Sequence, residues 1–405
     1  MFQDVSIIYF APQSVRARKE IIKMMRYGQF CPVIFGEGAI NELGEEAKKL
    51  GMTKVVVVTD AIIAGTDGYK TCVNSLKNAG VDFVEFTGCL PDPPSDVVQE
   101  ASRFAISSNV NGVIGIGGGS TLDTAKGVNL LFNNPEPITQ YFGMGPQKPG
   151  YPLICIPTTA GTGSEVTPIG VITNTQTGDK GPGIFSFASL AIADPEMTLT
   201  APPYVTATTG MDALSHAAEA MTSNCSNPKS DLLAIEAIKR ITAALPKAFD
   251  DGTDIQARSD LLFGSNLAGI AFSDARLQLG HSMAAAVGMK FHLAHGLGCA
   301  LSLQQAMKFA AKVIPERVKM VGEAMGISFT GDESPEQIGC IVSDECGALM
   351  KRVKIPSYKE LGISRDDLLE AVDFAMNDAC FSSIPAPLSR DEVIEYLGAS
   401  YDDYQ

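Results

Sequence analysis

The run Lys54-Val-Val-Val-Val-Thr-Asp60 shows how the first half of this 405-residue chain is built. Four consecutive β-branched residues without polar alternation are typical of a strand that is buried on both faces of a parallel sheet. Helical and strand-like stretches then alternate at 69–79 (helix), 82–86 (strand), 95–107 (helix) and 111–116 (strand). This alternation continues through Pro157 and predicts βαβ units, hence an α/β fold with a parallel sheet covered by helices.

The composition changes beyond Pro202-Pro203. Ala-rich amphipathic segments dominate from there to the end, with helix starts predicted at Ser364 and Ser389 and few strand-like residues. We therefore predict two domains, an α/β domain over residues 1–200 and an all-helical domain over residues 201–405. Residues 1–30 form an N-terminal extension with a candidate strand at 5–10 and an amphipathic helix around 15–25. This extension is an edge strand, a subunit-contact arm or, by default, a mobile terminus.

Composition excludes several classes of partner. The formal net charge of −15 argues against nucleic acid and against an anionic membrane surface. No apolar run reaches the length of a membrane span, and the basic cluster near residues 16–23 follows Asp4, the reverse of a secretory signal. Nine scattered cysteines, without a close CxxC pair, fit reduced thiols. These features predict a cytoplasmic protein.

A glycine-rich turn, Gly115-Ile-Gly117-Gly118-Gly119-Ser120, joins a buried strand to a helix that we expect to begin at Thr121. Ser120 and Asp123 match an [ST]-x-x-[DE] capping pattern. Glycines at a helix N-terminus let backbone amides approach an anion, so this turn predicts a phosphate cradle. It is not a clean G-x-G-x-x-G, because Ser120 takes the place of the last glycine and no acidic residue follows at the usual distance. A tight turn without a ligand is the alternative.

Two further features suit a dinucleotide. Asp60 ends its strand where a carboxylate could accept both hydroxyls of an adenosine ribose, which would favour NAD over NADP. A helix-capping or turn role is equally consistent with that position. The segment Ile156-Pro-Thr-Thr-Ala-Gly-Thr-Gly-Ser-Glu165 has the small and hydroxylated residues of a loop around a pyrophosphate or nicotinamide. An unliganded Gly/Thr loop is again the alternative, and residues 166–173 beyond it are strand-like.

Histidine is scarce and clustered. Three of the four histidines lie in Gly280–Gly298, GHSMAAAVGMKFHLAHGLG, and the fourth, His216, follows Asp212 by four residues. That spacing presents Asp212 and His216 on one helix face. His281 and His295 would be about 21 Å apart on one straight helix, so the chain must break between them, at Gly288 or before His292.

These side chains have the chemistry of a metal site. A carboxylate with imidazoles and no thiolate suits Fe(II) or Zn(II) rather than Ca²⁺ or Mg²⁺. The alternative is a helix-surface pair, Asp212 with His216, and histidines satisfied by other partners. The metal candidates are all in the second half of the chain and the phosphate loops all in the first, so we expect the active site in a cleft between the two halves.

Five segments resemble the iron-containing (group III) alcohol dehydrogenase family, in the right order: GGGSTLDTAK (117–126), IPTTAGTGSEVT (156–167), DPEMTLT (194–200), TGMDALSHAAEA (209–220) and GHSMAAAVGMKFHLAHG (280–296). The resemblance runs from about Pro32 to the C-terminus. It implies a dinucleotide-binding domain, then a helical metal-binding domain, and NAD-linked interconversion of small primary alcohols and aldehydes. The bound metal, iron or another divalent ion, would polarise the substrate oxygen for hydride transfer. We also expect a homo-oligomer, a dimer or larger.

The resemblance also assigns residues by position. The metal ligands would be Asp212, His216, His281 and His295, and the cofactor contacts would be Asp60, Asp92, Gly118, Gly119, Ser120, Asp123, Thr158, Thr159, Thr167, Lys180 and Leu199. Many members have a proton-transferring histidine four residues after the third ligand, where this chain has Ala285. His292 or a water would then take that role, so His281 and His292 are the catalytic candidates.

Other functions remain open at this point. Related folds include NAD-using lyases of the dehydroquinate synthase type, which use a Glu and two His, and maleylacetate reductases, which generally lack the full ligand set. The Asp/His/His/His set argues against both. A structural role in a filament or microcompartment, with residues 1–30 as the docking element, is a third hypothesis.

Overall fold

The computed structural model describes residues 27–145 and 148–405. The strand and helix predicted within residues 1–25 lie outside these ranges. In the described chain the strands are β1 Val33–Phe35, β2 Lys54–Val58, β3 Asp82–Phe86, β4 Gly112–Gly117, β5 Leu153–Pro157, β6 Ile169–Thr173, β7 Lys180–Ile184 and β8 Leu190–Ala193.

Six of the described strands form a parallel sheet in the order β1-β8-β5-β4-β2-β3. β2 lies between β3 and β4, with Val56 opposite both Val84 and Val113. All four of its valines are buried, since apolar clusters cover both faces of the sheet. The parallel sheet predicted from the valine run is therefore confirmed.

The segment after β5 differs from the prediction. Of the strand-like residues 166–173, only Ile169–Thr173 form a strand, and it pairs with β7 as a separate antiparallel hairpin. Residues Ser164–Val166 form a 3₁₀ turn instead. The turn is favoured because Gly163 adopts a left-handed φ of 59°, which redirects the chain before the hairpin.

Helices α1 Leu43–Lys49, α2 Asp67–Ala79, α3 Ser95–Ser107 and α4 Gly119–Leu131 cover the sheet. The predicted capping of α4 by Ser120 and Asp123 is wrong. The helix begins earlier, with Gly118 as N-cap and without a side-chain cap. Asp123 instead accepts hydrogen bonds from Ser164 Oγ (2.7 Å) and from the Val171 amide (2.9 Å), so its carboxylate holds the loop after β5 rather than its own helix.

The second half is helical, as predicted, with α5 Pro203–Thr222, α6 Pro228–Asp250, α7 Ile255–Ala275, α8 Leu279–Phe291, α9 His295–Val313, α10 Pro315–Met325, α11 Pro335–Arg352, α12 Arg365–Leu369, α13 Val372–Asn377 and α14 Arg390–Asp402. Ser364 and Ser389 cap α12 and α14 by accepting hydrogen bonds from backbone amides, which confirms both predicted starts. One apolar cluster joins these helices.

The loop of residues 158–167, which follows β5, packs directly on α7. A Cβ on Gly163 would lie 2.6 Å from the Gly269 Cα, so the two backbones meet without side chains between them. Asn266 on α7 donates to Glu165 Oε1 at 2.8 Å, and both residues are buried. These contacts fix the loop against the helices that carry the candidate metal ligands.

Two predictions from the sequence concern the cysteines and the membrane-spanning potential of the helices. The nine cysteines are all free. None of the helices in the described ranges combines the length and apolar composition needed to cross a membrane.

Candidate active site

Helix α5 supplies three acidic or imidazole side chains to one buried point. Asp212, His216 and Glu219 are spaced i, i+4 and i+7, so they lie along one face of the helix. All three are at most 4% exposed. Burying such groups is costly unless each finds a partner, so the arrangement points to a common ligand or network.

The predicted break between His281 and His295 is confirmed, but it falls slightly later than expected. Gly288 lies inside α8, which continues to Phe291. His292 then adopts a left-handed conformation (φ 55°), which ends α8, and α9 begins at His295. The turn therefore brings His295 back beside His281, with ring centroids 5.5 Å apart.

Two glycines let these helices approach α5 closely. A Cβ on Gly296 would clash with the Thr208 carbonyl oxygen, and one on Gly280 would clash with Glu219 Oε1. Each glycine is adjacent to a histidine of the site. The sequence thus keeps the backbones of α8 and α9 near enough to α5 for their imidazoles to meet Asp212.

Three imidazoles surround one carboxylate oxygen. Asp212 Oδ1 is 3.8 Å from His216 Nε2, 3.7 Å from His281 Nε2 and 3.8 Å from His295 Nε2. These distances are too long for hydrogen bonds. They are close to the spacing of ~3.4 Å between two ligands that bind one tetrahedral ion at ~2.1 Å each. The four predicted ligands are therefore brought together.

Two of these ligand atoms lack any protein partner among the described residues. Asp212 Oδ1 and His281 Nε2 are buried and make no hydrogen bond. A buried carboxylate oxygen and a buried ring nitrogen that face each other both offer lone pairs, so a cation between them satisfies both. The donor set thus fits a divalent first-row metal.

Hydrogen bonds on the far side of two rings fix which nitrogen faces the site. His216 Nδ1 is 3.2 Å from the Gly161 carbonyl oxygen, which can only accept, so the proton sits on Nδ1. His281 Nδ1 likewise donates to Glu219 Oε1 at 2.8 Å. Nε2 of each ring then faces the site, and that of His216 has the free lone pair that binds a metal. Burial lowers the pKa of His281, but the neighbouring Cys299 and Glu219 raise it above its usual range, so this ring loses its Nε2 proton as a metal binds.

The charges of the site follow from its burial. Burial alone would raise the pKa of Asp212, but the imidazoles around it hold that pKa well below its usual range. Burial lowers the pKa of His216 to about 4, so this ring is neutral at pH 7. A carboxylate and a neutral imidazole are the states that coordinate a cation without first losing a proton.

Sequence reasoning missed Cys299, which the structure places in this cluster. Its Sγ is 3.5 Å from His295 Nε2, and the ligand atoms of Asp212, His281, His295 and Cys299 all lie within 4.8 Å of one another. Burial raises the pKa of the thiol well above its usual range. The available signal was the i, i+4 spacing from His295 on α9, the same spacing that identified His216.

The two predicted cofactor loops meet at the carboxyl edge of the sheet. The Thr158 amide donates to the Gly117 carbonyl at 3.0 Å, because β5 is the neighbour of β4. A Cβ on Gly118 would lie 3.5 Å from Thr159 Oγ1, and one on Gly119 would lie 2.6 Å from Thr162 Cγ2. The N-terminus of α4 therefore faces the hydroxyl groups of the second loop, which suits an anion.

Two acidic residues predicted to contact the cofactor, Asp60 and Asp92, already make interactions within the protein. Asp60 Oδ1 accepts from the amides of Ile62 (2.9 Å) and Ile63 (3.0 Å), which is the turn role left open from sequence. Its Oδ2 accepts no hydrogen bond from the described residues, and β2 borders β4 at the same edge. Asp92 pairs with Lys180 at 2.6 Å, so these two predicted contacts lie together.

The other predicted contacts are dispersed. Asp123 bonds within the protein, Thr167 is buried, and Leu199 is exposed beyond a 3₁₀ turn. His292 is exposed. Lys126, which sequence reasoning did not select, is fully buried and donates to Ser164 Oγ (2.5 Å) and to the Ile169 carbonyl (2.6 Å).

Comparisons with known proteins cover both halves of the chain. Residues 32–195 match the family model described as iron-containing alcohol dehydrogenase, and residues 206–401 match the C-terminal model of the Fe-containing alcohol dehydrogenase family. The NAD-dependent methanol dehydrogenase of Bacillus methanolicus is 34% identical over 369 residues, which cover 90% of this chain and 96% of that protein.

Solved structures share the same architecture. A 1,3-propanediol oxidoreductase superimposes with a TM-score of 0.90 at 30% identity, covering 94% of this chain and 100% of the other. The sulfoacetaldehyde reductase of Bifidobacterium kashiwanohense, solved in complex with NAD⁺, superimposes with a TM-score of 0.83 at 27% identity, covering 93% and 99%. The likeness therefore extends over both the sheet and the helices.

Proposed function

Since this chain belongs to the iron-containing alcohol dehydrogenase family, and is an NAD-linked alcohol dehydrogenase or aldehyde reductase, we propose how its residues carry out that reaction. Asp212, His216, His281 and His295 hold a divalent metal. One observation carries this proposal. Asp212 Oδ1, which three imidazoles surround, and His281 Nε2, which faces it at 3.7 Å, are both buried and have no hydrogen-bonding partner among the described residues.

The residues around the metal have distinct tasks. When bound, the metal supplies Lewis acidity toward the substrate oxygen. Asp212 is the one carboxylate among the four proposed ligands, so the histidines leave most of the ion's positive charge available. Glu219 and the Gly161 carbonyl orient His281 and His216 through their Nδ1–H groups. This support keeps the ligand geometry fixed while substrate binds and leaves.

NAD is proposed to lie across the carboxyl edge of the sheet. The α4 N-terminus with Gly118 and Gly119 receives the pyrophosphate, and Thr158 and Thr159 line the path toward the metal. Asp60 lies two residues beyond the end of β2, where the charge of Oδ2 would favour the ribose hydroxyls of NAD and repel the 2′-phosphate of NADP. The hydrogen bond from His216 Nδ1 to the Gly161 carbonyl supports this position for NAD, because it joins the proposed cofactor loop to a proposed metal ligand.

The proton of the alcohol needs a path to solvent. His292 is the histidine not assigned to the metal, it lies three residues from His295, and its exposure gives it contact with water. We propose it as the relay in place of the histidine that is absent at Ala285, with bound water as the competing route.

The substrate is proposed to be a small primary alcohol or aldehyde. The methanol dehydrogenase and propanediol oxidoreductase relatives carry such substrates in their names. We further propose a domain boundary near residue 200, supported by the change from β8 to α5, and a cytoplasmic homo-oligomer, supported for the compartment by the free cysteines.

One experiment tests the site. His281→Ala should lose metal and NADH-dependent aldehyde reduction together, because a remnant of three ligands binds the ion more weakly. Metal analysis, an aldehyde panel and chelation of the wild type are the measurements, with circular dichroism to verify the fold. Full metal occupancy and turnover in His281→Ala would refute the ligand assignment. Turnover that survives complete chelation would instead favour the metal-independent alternatives.

A further inference from the structure

Helix α9 brings a sulfur atom to the metal cluster as well as an imidazole. His295 and Cys299 are one helical turn apart, and Cys299 Sγ lies 3.5 Å from His295 Nε2. The ligand atoms of Asp212, His281, His295 and Cys299 form a mutual group within 4.8 Å. The sulfur thus lies within 4.8 Å of each of the other three donor atoms.

The surroundings of this thiol differ from those of an ordinary buried cysteine. A free cysteine in a core usually packs as a small apolar side chain. Cys299 is fully buried, yet it faces a carboxylate and two imidazoles, and Asp212 Oδ1 and His281 Nε2 among them have no partner in the described protein. Cys299 Sγ is within hydrogen-bonding distance of His295 Nε2 (3.5 Å), but that contact leaves Asp212 Oδ1 and His281 Nε2 without a partner, and a cation shared by all four donors would satisfy both.

We propose that Cys299 is a further ligand of the divalent metal, bound through Sγ as a thiolate in addition to Asp212 and the histidines. This inference rests on the proposed metal site. As the Sγ–metal bond forms, the S–H bond breaks and its proton is released to solvent, with no change in oxidation state. The site then has two anionic ligands, so Cys299 offsets part of the positive charge that Asp212 and the histidines alone would leave on the divalent ion.

A thiolate changes which ions the site prefers. Sulfur is a soft donor that favours Zn(II) and Co(II) over the harder Mn(II) and Mg(II). The donor set of oxygen, nitrogen and sulfur is therefore expected to select against hard ions more strongly than carboxylate and imidazoles alone.

Cobalt substitution reads out the bond directly. Metal-free protein loaded with Co(II) should show a sulfur-to-Co(II) charge-transfer band in the near ultraviolet, and Cys299→Ser should lose it while still binding Co(II). Cys346→Ala is the matched control, because Cys346 is a second fully buried thiol, lies on α11 and is outside the cluster. This control should keep the band.

The possible outcomes separate the proposal that Cys299 is a ligand from the proposal that Asp212 and the histidines bind a metal. Co(II) that binds and shows its d–d bands without the charge-transfer band refutes Cys299 ligation and leaves the Asp/His site intact. Failure of the wild type to bind Co(II), Zn(II) or Fe(II) refutes both. If Cys299→Ser does not fold, X-ray absorption of the Zn(II)-loaded wild type decides the question, since a sulfur ligand appears at ~2.3 Å and its absence overturns the inference.

Discussion

Glu219→Gln is the substitution that tests most directly how the protein prepares His281 for metal. Glu219 Oε1 accepts from His281 Nδ1 at 2.8 Å, and Oε2 accepts from the backbone amides of Gln278 (2.8 Å) and His281 (3.2 Å). Glutamine has the same shape but only one acceptor oxygen, so it cannot satisfy all three donors.

The orientation of the new amide can be worked out from these contacts. If its NH₂ group faced the two backbone amides, both would lose their acceptor, at a cost of about 1–3 kcal/mol each. The amide therefore turns its oxygen to the backbone and its NH₂ group to His281 Nδ1. That nitrogen must then accept, so the ring proton moves to Nε2, the atom that faces the metal.

We expect metal affinity to fall about 10–100-fold, the range found when an outer partner of a ligand is lost. At ~1.4 kcal/mol per factor of ten, this is about 1.4–2.8 kcal/mol. Competition with a chromophoric chelator measures the affinity, and urea unfolding in the presence of chelator measures the stability of the metal-free protein. Glu323→Gln, on the exposed face of α10, is the control. A Glu219→Gln protein with the metal affinity of wild type would show that the tautomer argument is mistaken.

Three further predictions concern the cofactor, the proton and the packing. Asp60→Asn keeps an acceptor for the turn amides but removes the charge, so the preference for NAD over NADP in kcat/KM should narrow; a wild type that uses both equally would contradict this. His292→Ala, at matched metal content, should lose much of its alcohol oxidation and regain part of it with added imidazole, whereas an unchanged pH profile would make His292 structural. Gly269→Ala would place a Cβ 2.9 Å from the Gly163 Cα and should lower the free energy of unfolding by about 1–3 kcal/mol in urea titration. In Gly288→Ala the new Cβ would meet no atom closer than 3.5 Å, so this substitution should instead raise the free energy of unfolding by up to about 1 kcal/mol. Equal changes in the free energy of unfolding for Gly269→Ala and Gly288→Ala would refute the proposed steric clash at Gly269.

The sheet was predictable because its strands carry a strong local signal. β2 is a run of valines, and buried parallel strands require such runs wherever they occur. The start of α4 was not predictable in the same way. Ser120 and Asp123 match a capping pattern, yet Asp123 bonds to Ser164 and Val171, which are more than forty residues away along the chain. Long-range contacts of this kind override a short motif and leave no trace in local spacing.

The cluster of candidate metal ligands was predictable in four of its members but not in its surroundings. Scarce histidine and the i, i+4 pair Asp212–His216 identified the candidate ligands that the structure brings together, and the need for a chain break followed from helix geometry. Glu219 and Cys299 were missed, although both continue helical spacings from those ligands. Their importance depends on which helix faces them, and only the packing of α8 and α9 against α5 determines that.

The bare contact between Gly163 and Gly269 has a mechanical consequence. Because two backbones touch there, steric repulsion rises steeply if the sheet and the helices move closer together, and no side chain can change rotamer to make room. Separation does not meet this steep repulsion and is opposed by attractive contacts, such as the hydrogen bond from Asn266 to Glu165 and the packing of Phe35 on Phe263. The contact therefore acts as a one-sided stop. It sets the shortest distance between the loop of residues 158–167 and helix α7, and the backbone alone defines that distance.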